Sequence, residues 1–179
     1  IDAIAAKHGR KVKWHPILLG VIFQATGSRP PADGVSSKGI YMLHDFQRSA
    51  RFLGVPYNPP SRFPLPTQNA ARAYYWLHAQ DCALARQFAL AVYRGFFVDD
   101  LDISAPETVL EIAAKLGVDR NSLAAALQNP EIKAKLKAQC ETALQVGVFG
   151  SPHVIIDGEA FFGADRLPQI ERWLASGGF

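Results

Sequence analysis

Residues 147–167 read GVFGSPHVIIDGEAFFGADRL, and the rest of the chain is organised around this stretch. Its β-branched run at residues 153–156 predicts a short strand. Asp157 and Gly158 then form a strong signal for a two-residue hairpin turn, because glycine tolerates the positive φ that such turns need. We expect residues 160–162 to form the return strand of this hairpin.

The end of the same stretch predicts a helix that begins after Gly163. Ala164 and Asp165 stand at its expected N-cap, and an apolar stripe follows at positions 167, 170, 173 and 174. Strand, tight turn, strand and capped helix form the closing half of a thioredoxin-type fold. In that fold the proline before the first strand, here Pro152, is usually cis, so that it presents the backbone of the preceding Ser151 to a ligand.

Composition and charge are those of a folded domain. The chain has 179 residues, 49% of them hydrophobic and 20% charged, which suits one domain or one domain that carries an insertion. The net charge of +3 is spread without a basic stripe or block, so we expect no nucleic-acid partner. We see no apolar run of membrane-spanning length and no signal peptide, and we therefore expect no membrane association.

The sequence offers neither a dithiol nor a metal motif. Cys82 and Cys140 lie far apart in helix-like stretches, and no Cys-x-x-Cys pair is present. We interpret both cysteines as buried small hydrophobic residues in a reducing compartment, and we expect a cytoplasmic protein. The carboxylates within residues 99–102 come without histidine or ligand spacing, so we expect a loop there and no metal site.

The beginning of the chain lacks the order of elements that a thioredoxin fold should show. Residues 1–9 read as the end of a helix, and residues 12–19 read as a strand that Pro16 interrupts. Residues 20–37 hold a short apolar turn followed by a polar, irregular loop. We therefore expect that the first strand and the start of the first helix of the fold are missing from this sequence.

Between these parts, the spacing of apolar residues predicts about six helices. The proline-rich segment 54–66 interrupts them and must be extended, and Ser104 opens a capping box. We predict an α/β protein in which residues 1–37 and 146–179 form a thioredoxin-like domain, while residues 38–145 form a large all-helical insertion. The predicted helices are 38–53, 67–80, 81–97, 104–116, 119–127 and 130–146.

Two further stretches point to a family. Gly-Ser-Arg-Pro-Pro at residues 27–31 and Lys-Gly-Ile-Tyr-Met at residues 38–42 occur in the same chain as the hairpin stretch 147–167. Together they resemble the 2-hydroxychromene-2-carboxylate isomerases and the kappa-class glutathione transferases, in the DsbA-like branch of the thioredoxin superfamily. The resemblance covers essentially the whole chain. It implies a DsbA-like fold, glutathione as the cofactor, a small aromatic carboxylate as the substrate, and a homodimer.

The resemblance also implies a glutathione site made of Lys38, Ser151, Pro152, Ala164 and Asp165. The backbone of the residue before the proline would pair with the cysteinyl part of glutathione. The helix start at Ala164 and Asp165 would receive the γ-glutamyl carboxylate, and the side chain of Asp165 would receive the ammonium group. Lys38 would bind the glycine carboxylate.

The family's thiol-activating serine stands at the start of the first helix, and no residue of this sequence corresponds to it. We expect this serine upstream of Ile1 and assign the catalytic role to no position here. The expected function is glutathione-dependent cis–trans isomerisation of 2-hydroxychromene-2-carboxylate in naphthalene-type aromatic degradation. The alternatives are a general kappa-class-like glutathione transferase, a DsbA-like dithiol oxidoreductase with a Cys-x-x-Cys before Ile1, and a non-catalytic glutathione- or peptide-binding module.

Overall fold

The computed structural model describes residues 1–30 and 34–179. The end of the 27–31 motif and part of the predicted loop 20–37 therefore lie outside the described residues. In chain order the described elements are α1 (Asp2–Lys7), α2 (Leu19–Thr26), α3 (Ser37–Leu53), α4 (Gln68–His78), α5 (Cys82–Phe97), α6 (Pro106–Ala114), α7 (Arg120–Gln128), α8 (Pro130–Gln145), β1 (His153–Ile156), β2 (Glu159–Phe162), a 3₁₀ turn (Ala164–Arg166) and α9 (Leu167–Ser176).

Helices α4 to α8 form the body of the molecule. Their shared core is apolar, with Leu77, Phe88, Val109, Leu123 and Leu127 almost completely buried. Three helices begin at side chains that accept hydrogen bonds from first-turn amides: Asp81 for α5, Asp119 for α7 and Asn129 for α8. The predicted helices of this region are confirmed, since the spacing of apolar residues was enough to locate them.

The predicted capping box at Ser104 is wrong. The N-cap of α6 is Ala105, and no side chain caps this helix. The hydroxyl of Ser104 instead donates to the carboxylate of Asp102. This hydrogen bond stabilises the end of the acidic loop 99–102, which precedes the helix. Proline at the start of α6 compensates for the missing cap, because its fixed φ suits the first turn and it has no amide to satisfy.

The predicted strand at residues 12–19 is also wrong. Residues 10–18 contain neither helix nor strand, and helix α2 begins at Leu19. Within the described part of the chain, the only sheet is the pair of β1 and β2. The apolar residues Trp14, Ile17 and Leu18 pack against the helical core instead of lining a sheet. The prediction that these residues are in apolar contacts was correct, but the prediction that they belong to a strand was not.

Helix side chains satisfy the backbone of this irregular segment. The hydroxyl of Tyr74 donates to the carbonyl of Trp14 at 3.3 Å, and that of Tyr75 donates to the carbonyl of Pro16 at 2.6 Å. Both tyrosines are buried, and burial raises the pKa of Tyr75, so its hydroxyl stays protonated and remains a donor. Residues 10–18 are thus held by α4 without a neighbouring strand.

The short apolar turn expected within residues 20–37 is a complete helix, α2. Its residue Ile22 is fully buried, and it packs with Ala143 of α8 and with Val148. This second small core lies where the chain leaves α8 for the hairpin. It therefore links the N-terminal part of the chain to the segment that precedes Pro152.

One of the two cysteines departs from the expectation. Cys140 is buried in the helical core, as predicted, but Cys82 is exposed at the first position of α5. The position directly after the N-cap Asp81 faces away from the core, and the local sequence pattern did not reveal this.

The hairpin has the predicted form. Strand β1 pairs antiparallel with β2, with His153 opposite Phe162 and Ile156 opposite Glu159. Asp157 and Gly158 form the turn with φ of 52° and 94°. One face of the hairpin packs on α9, because Phe161 is buried there against Trp173 at 5.8 Å between ring centroids.

No helix among residues 1–30 and 34–179 is long and apolar enough to cross a membrane. The division into a thioredoxin-like domain (1–37 and 146–179) and a helical insertion (38–145) stays a prediction.

Replacing Tyr75 with phenylalanine tests how the irregular segment is held. The variant leaves the carbonyl of Pro16 without its donor, and we expect the free energy of unfolding in urea to fall by about 1–3 kcal/mol. Tyr93→Phe is the matched control, because Tyr93 is exposed and its hydroxyl makes no hydrogen bond to a residue that the structure describes. If both variants lose the same free energy of unfolding, the hydrogen bond from Tyr75 to Pro16 does not stabilise the segment.

Candidate functional site

One backbone hydrogen bond assembles the predicted site. The amide of Gly163 donates to the carbonyl of Pro152 at 3.0 Å, just beyond the last pair of the hairpin. The Ser151–Pro152 peptide bond is cis, as the sequence predicts. The bond therefore places Ser151 and Pro152 beside the chain that enters the 3₁₀ turn at Ala164 and Asp165.

The residues that form this junction are exposed to solvent. Ser151, Ala164 and Asp165 are all exposed. Their amides donate no hydrogen bond to any residue that the structure describes, and the carbonyl of Ser151 accepts none. Free donors at the start of a helical turn, next to unpaired backbone groups, can bind carboxylates and extended peptides.

The expected N-cap role of Ala164 and Asp165 is wrong. A 3₁₀ turn over Ala164–Arg166 precedes α9, and the residue at the N-cap of α9 is Arg166. Proline in the first turn of α9 favours the helix start there, one or two residues later than the sequence pattern suggested. Asp165 consequently lies inside the turn and accepts no capping hydrogen bond.

The carboxylate of Asp165 has two close neighbours. Its Oδ2 lies 3.0 Å from Nη2 of Arg166, with both side chains largely exposed. Its Oδ1 lies against Gly163, where an added Cβ would collide with it. Gly163 also has φ of 109°, so the backbone conformation favours glycine there.

An aromatic cluster borders the proline loop. The rings of Phe149 and His153 meet edge to face at 5.4 Å, and those of Phe149 and Phe162 lie 4.7 Å apart. Phe149 and Phe162 are each about half exposed. The ring of Phe162 lies over Gly150, where a Cβ would come within 2.7 Å of it, so the cluster depends on glycine at this position.

His153 is an unusual member of this cluster. Both of its ring nitrogens are buried, and neither has a hydrogen-bond partner in the described part of the chain. Burial among apolar rings lowers the pKa of His153, because the charged imidazolium would lose its hydration without gaining a partner. The side chain is therefore neutral at pH 7.

Lys38 is not brought to this junction by any direct contact. It lies exposed in the first turn of α3, and no hydrogen bond or ion pair joins it to a residue that the structure describes. The hydroxyl of Ser36 accepts from the amide of Gly39 at 3.0 Å and so caps the helix start. Lys38 is thus the one member of the predicted set that stands apart from the hairpin.

Sequence reasoning missed Arg166 and His153. The adjacency of Asp165 and Arg166 could have suggested an ion pair. The burial of the His153 ring could not be read from its neighbours, since a histidine at the start of a strand is equally compatible with exposure. Among residues 1–30 and 34–179, no group of three or more acidic, histidine or cysteine side chains has a metal-binding arrangement.

Comparison with known proteins agrees with this architecture. Residues 1–175 match the family model of the DSBA-like thioredoxin domain. The chain belongs to this family. Its fold is the DsbA-like thioredoxin fold, mostly helical with a small antiparallel sheet, as predicted.

Relatives within the family carry two kinds of name. The chain is similar to a 2-hydroxychromene-2-carboxylate isomerase of Sphingobium xenophagum, with 28% identity over 96% of this chain and 86% of the relative. It is also similar to glutathione S-transferase kappa 1 of Rattus norvegicus, with 26% identity over 92% of this chain and 80% of the relative. The solved structure of a selenomethionine 2-hydroxychromene-2-carboxylate isomerase superposes with a TM-score of 0.82 at 23% identity, over 96% of this chain and 83% of that one. The predicted resemblance is confirmed.

The neutral His153 predicts an acid-sensitive fold. In the unfolded chain histidine titrates near pH 6.5, and in the folded chain the pKa of His153 is lower. The unfolded state therefore binds the proton first, so stability is lost as the pH falls below about 6.5. We expect His153→Phe to reduce this loss in urea unfolding measured between pH 5 and 7.5.

His44→Gln is the control for that measurement, because His44 is an exposed histidine on α3. If His153→Phe and His44→Gln change the pH dependence equally, the burial of His153 is not its cause.

Proposed function

We propose that this protein is a glutathione-dependent cis–trans isomerase that acts on 2-hydroxychromene-2-carboxylate in aromatic degradation. The observation that carries the proposal is the junction of the Ser151–Pro152 loop with the free amides of Ala164 and Asp165. This junction offers a suitable surface for glutathione. The names of the relatives, which are isomerases and kappa-class transferases, support the same proposal.

The exposed groups fit glutathione part by part. The free backbone of Ser151 can pair with the cysteinyl backbone, in the manner of an added strand. The amides of Ala164 and Asp165 can donate to the γ-glutamyl carboxylate. The carboxylate of Asp165 can accept from the γ-glutamyl ammonium group, although it then shares its charge between this group and Arg166.

Lys38 is the proposed partner of the glycine carboxylate. It is an exposed cation without an ion pair to the described residues, so it has its charge available for an anion. Because it makes no direct contact with the hairpin, its role requires glutathione to reach from Ser151 to the start of α3.

When bound, glutathione supplies a thiolate that adds reversibly to a conjugated double bond and so permits rotation about it. The residues of this chain hold the tripeptide and shape its surroundings. Phe149 and Phe162 expose ring surface beside Ser151, which suits a flat aromatic substrate. The net charge of +3 favours an anionic one. No described residue is assigned the role of activating the thiol.

A general kappa-class-like glutathione transferase is the second candidate. The same glutathione surface serves both activities, and relatives with both names match the chain. Conjugation of 1-chloro-2,4-dinitrobenzene at a higher kcat/KM than isomerisation would favour the transferase. The dithiol alternative ranks lower, because the sequence stretches at residues 27–31 and 38–42 resemble the isomerase branch of the superfamily.

We further propose a cytoplasmic homodimer. The exposed apolar residues of α3 support a protein–protein contact, since Phe52 is 88% exposed and Ile40 and Leu53 are each 57% exposed. Sedimentation equilibrium tests this part of the proposal. A protein that remains monomeric at micromolar concentrations and above would contradict it.

Steady-state isomerisation at varied glutathione tests the function and Asp165 together. We expect no turnover without glutathione. We also expect Asp165→Asn to raise the KM for glutathione about ten- to hundredfold, the worth of a hydrogen bond to a charged group. Asp157→Asn is the matched control, because it makes the same change at the opposite end of the hairpin, where Asp157 pairs with Arg10.

Turnover that does not depend on glutathione would overturn the proposed function. Glutathione-dependent turnover with equal KM values in the two variants would keep the function and remove Asp165 from the site.

A further inference from the structure

His153 lies where the aromatic cluster meets the hairpin junction. It directly follows the Ser151–Pro152 loop and is the first residue of β1. Its partner in the hairpin register is Phe162, and the next step of that register is the hydrogen bond from the amide of Gly163 to the carbonyl of Pro152. A displacement of the His153 side chain therefore acts on both strands at the point where they hold the junction together.

The ring of His153 packs with two phenylalanine rings over this loop. It meets Phe149 edge to face at 5.4 Å and lies 6.4 Å from Phe162, and the two phenylalanine rings lie 4.7 Å apart. Phe162 in turn covers Gly150, where an added Cβ would come within 2.7 Å of its ring. The three rings thus pack on the loop that leads into Ser151.

The polar atoms of His153 are left without partners by this packing. Both ring nitrogens are buried, and neither has a hydrogen-bond partner among residues 1–30 and 34–179. A neutral imidazole carries one donor and one acceptor, so two polar groups are unsatisfied in the cluster. Their cost increases steeply when the ring takes up a proton, because the charge loses its hydration as well. The cluster therefore tolerates only the neutral ring.

No charged side chain of the described residues offsets this cost. Burial lowers the pKa of His153, and no neighbouring charge contributes. Helix α9 lies on the other face of the hairpin, against Phe161. The charged residues of the hairpin and of the 3₁₀ turn are Asp157, which pairs with Arg10, Glu159, which lies opposite Ile156 at the far end, and Asp165, which pairs with Arg166.

We propose that His153 is a pH-sensitive switch of the glutathione junction, an inference that rests on the proposed function. While the ring is neutral, it holds Phe149 and Phe162 over the loop. When the ring takes up a proton, it turns out of the cluster into solvent, which its partial exposure allows, and the packing on Gly150 loosens. In this open form the Ser151–Pro152 loop loses the position in which its backbone meets the amides of the 3₁₀ turn.

The direction of the effect follows from the two positions of the ring. In solvent a histidine titrates near pH 6.5, and within the cluster the pKa of His153 is lower. A proton therefore favours the open form, so the glutathione-binding form is lost as the pH falls below about 6.5. Between pH 7 and 5 the groups of glutathione keep their charge, because their ordinary pKa values lie below about 4 or above about 7.5.

A pH titration of the full chain without glutathione, followed by NMR, tests the switch itself. We expect the ring C–H resonances of His153 to titrate with a midpoint below 6.5, and the amides of Gly150, Ser151 and Gly163 to shift with the same midpoint. In His153→Phe these three amides should not shift with pH. His44→Gln is the matched control, because His44 is an exposed histidine on α3, and its junction amides should follow those of the wild type.

Calorimetric titration with glutathione at pH 7.0 and pH 5.0 tests the coupling to the ligand. For the wild type and for His44→Gln we expect a dissociation constant about three- to tenfold higher at pH 5.0, because one proton is linked to binding. For His153→Phe we expect the two dissociation constants to agree within about twofold, since the titrating group is gone.

Three results would overturn the proposal. They are a His153 ring that titrates at pH 6.5 or above, junction amides that do not follow the ring, and glutathione binding whose pH dependence is the same in the wild type and in His153→Phe. If glutathione binds at neither pH, the proposed function is contradicted, and the amide titration still decides whether the ring moves the junction. If His153→Phe does not fold, the midpoints of ring and amides in the wild type decide the matter.

Discussion

The hydrogen bond from the amide of Gly163 to the carbonyl of Pro152 joins the two halves of the candidate site. On one side it holds the loop that ends in Ser151 and Pro152, and on the other the turn that carries Ala164 and Asp165. The bond forms because the hairpin register continues beyond its last pair, His153 with Phe162. A shift of one residue in this register would turn the apolar face of the hairpin outward and separate the two halves.

The helical body supports this register from outside the hairpin. Val148, with Ile22 and Ala143, forms a small buried core where the chain leaves α8, so the approach to Ser151 is fixed before the hairpin begins. On the far side, Phe161 packs on Trp173 of α9. Two surface ion pairs, Lys7 of α1 with Glu171 of α9 and Arg10 with Asp157 of the hairpin turn, add little, because both partners of each pair are exposed. Apolar packing therefore does most of the positioning.

The parts of the fold that could be predicted from the sequence are those set by local chemistry. The turn at Asp157 and Gly158 and the apolar spacing of the long helices both depend on residues near in sequence. The segment 10–18 could not be predicted, since its form depends on the hydroxyl groups of Tyr74 and Tyr75, some sixty residues away. In the site, the residues of the hairpin junction were found from sequence. The 3₁₀ turn that displaces the cap from Asp165 and the burial of the His153 ring arise from packing, and they became visible only in three dimensions.

The central claim is that the exposed backbone at the hairpin junction binds glutathione. The most direct measurement is a titration of the isotope-labelled protein with glutathione, followed through its amide resonances in ¹H–¹⁵N correlation spectra. The account predicts that the amides of Ser151, Ala164 and Asp165 shift together and saturate with one dissociation constant. Saturating shifts confined to other parts of the chain, or no shifts at millimolar glutathione, would contradict it.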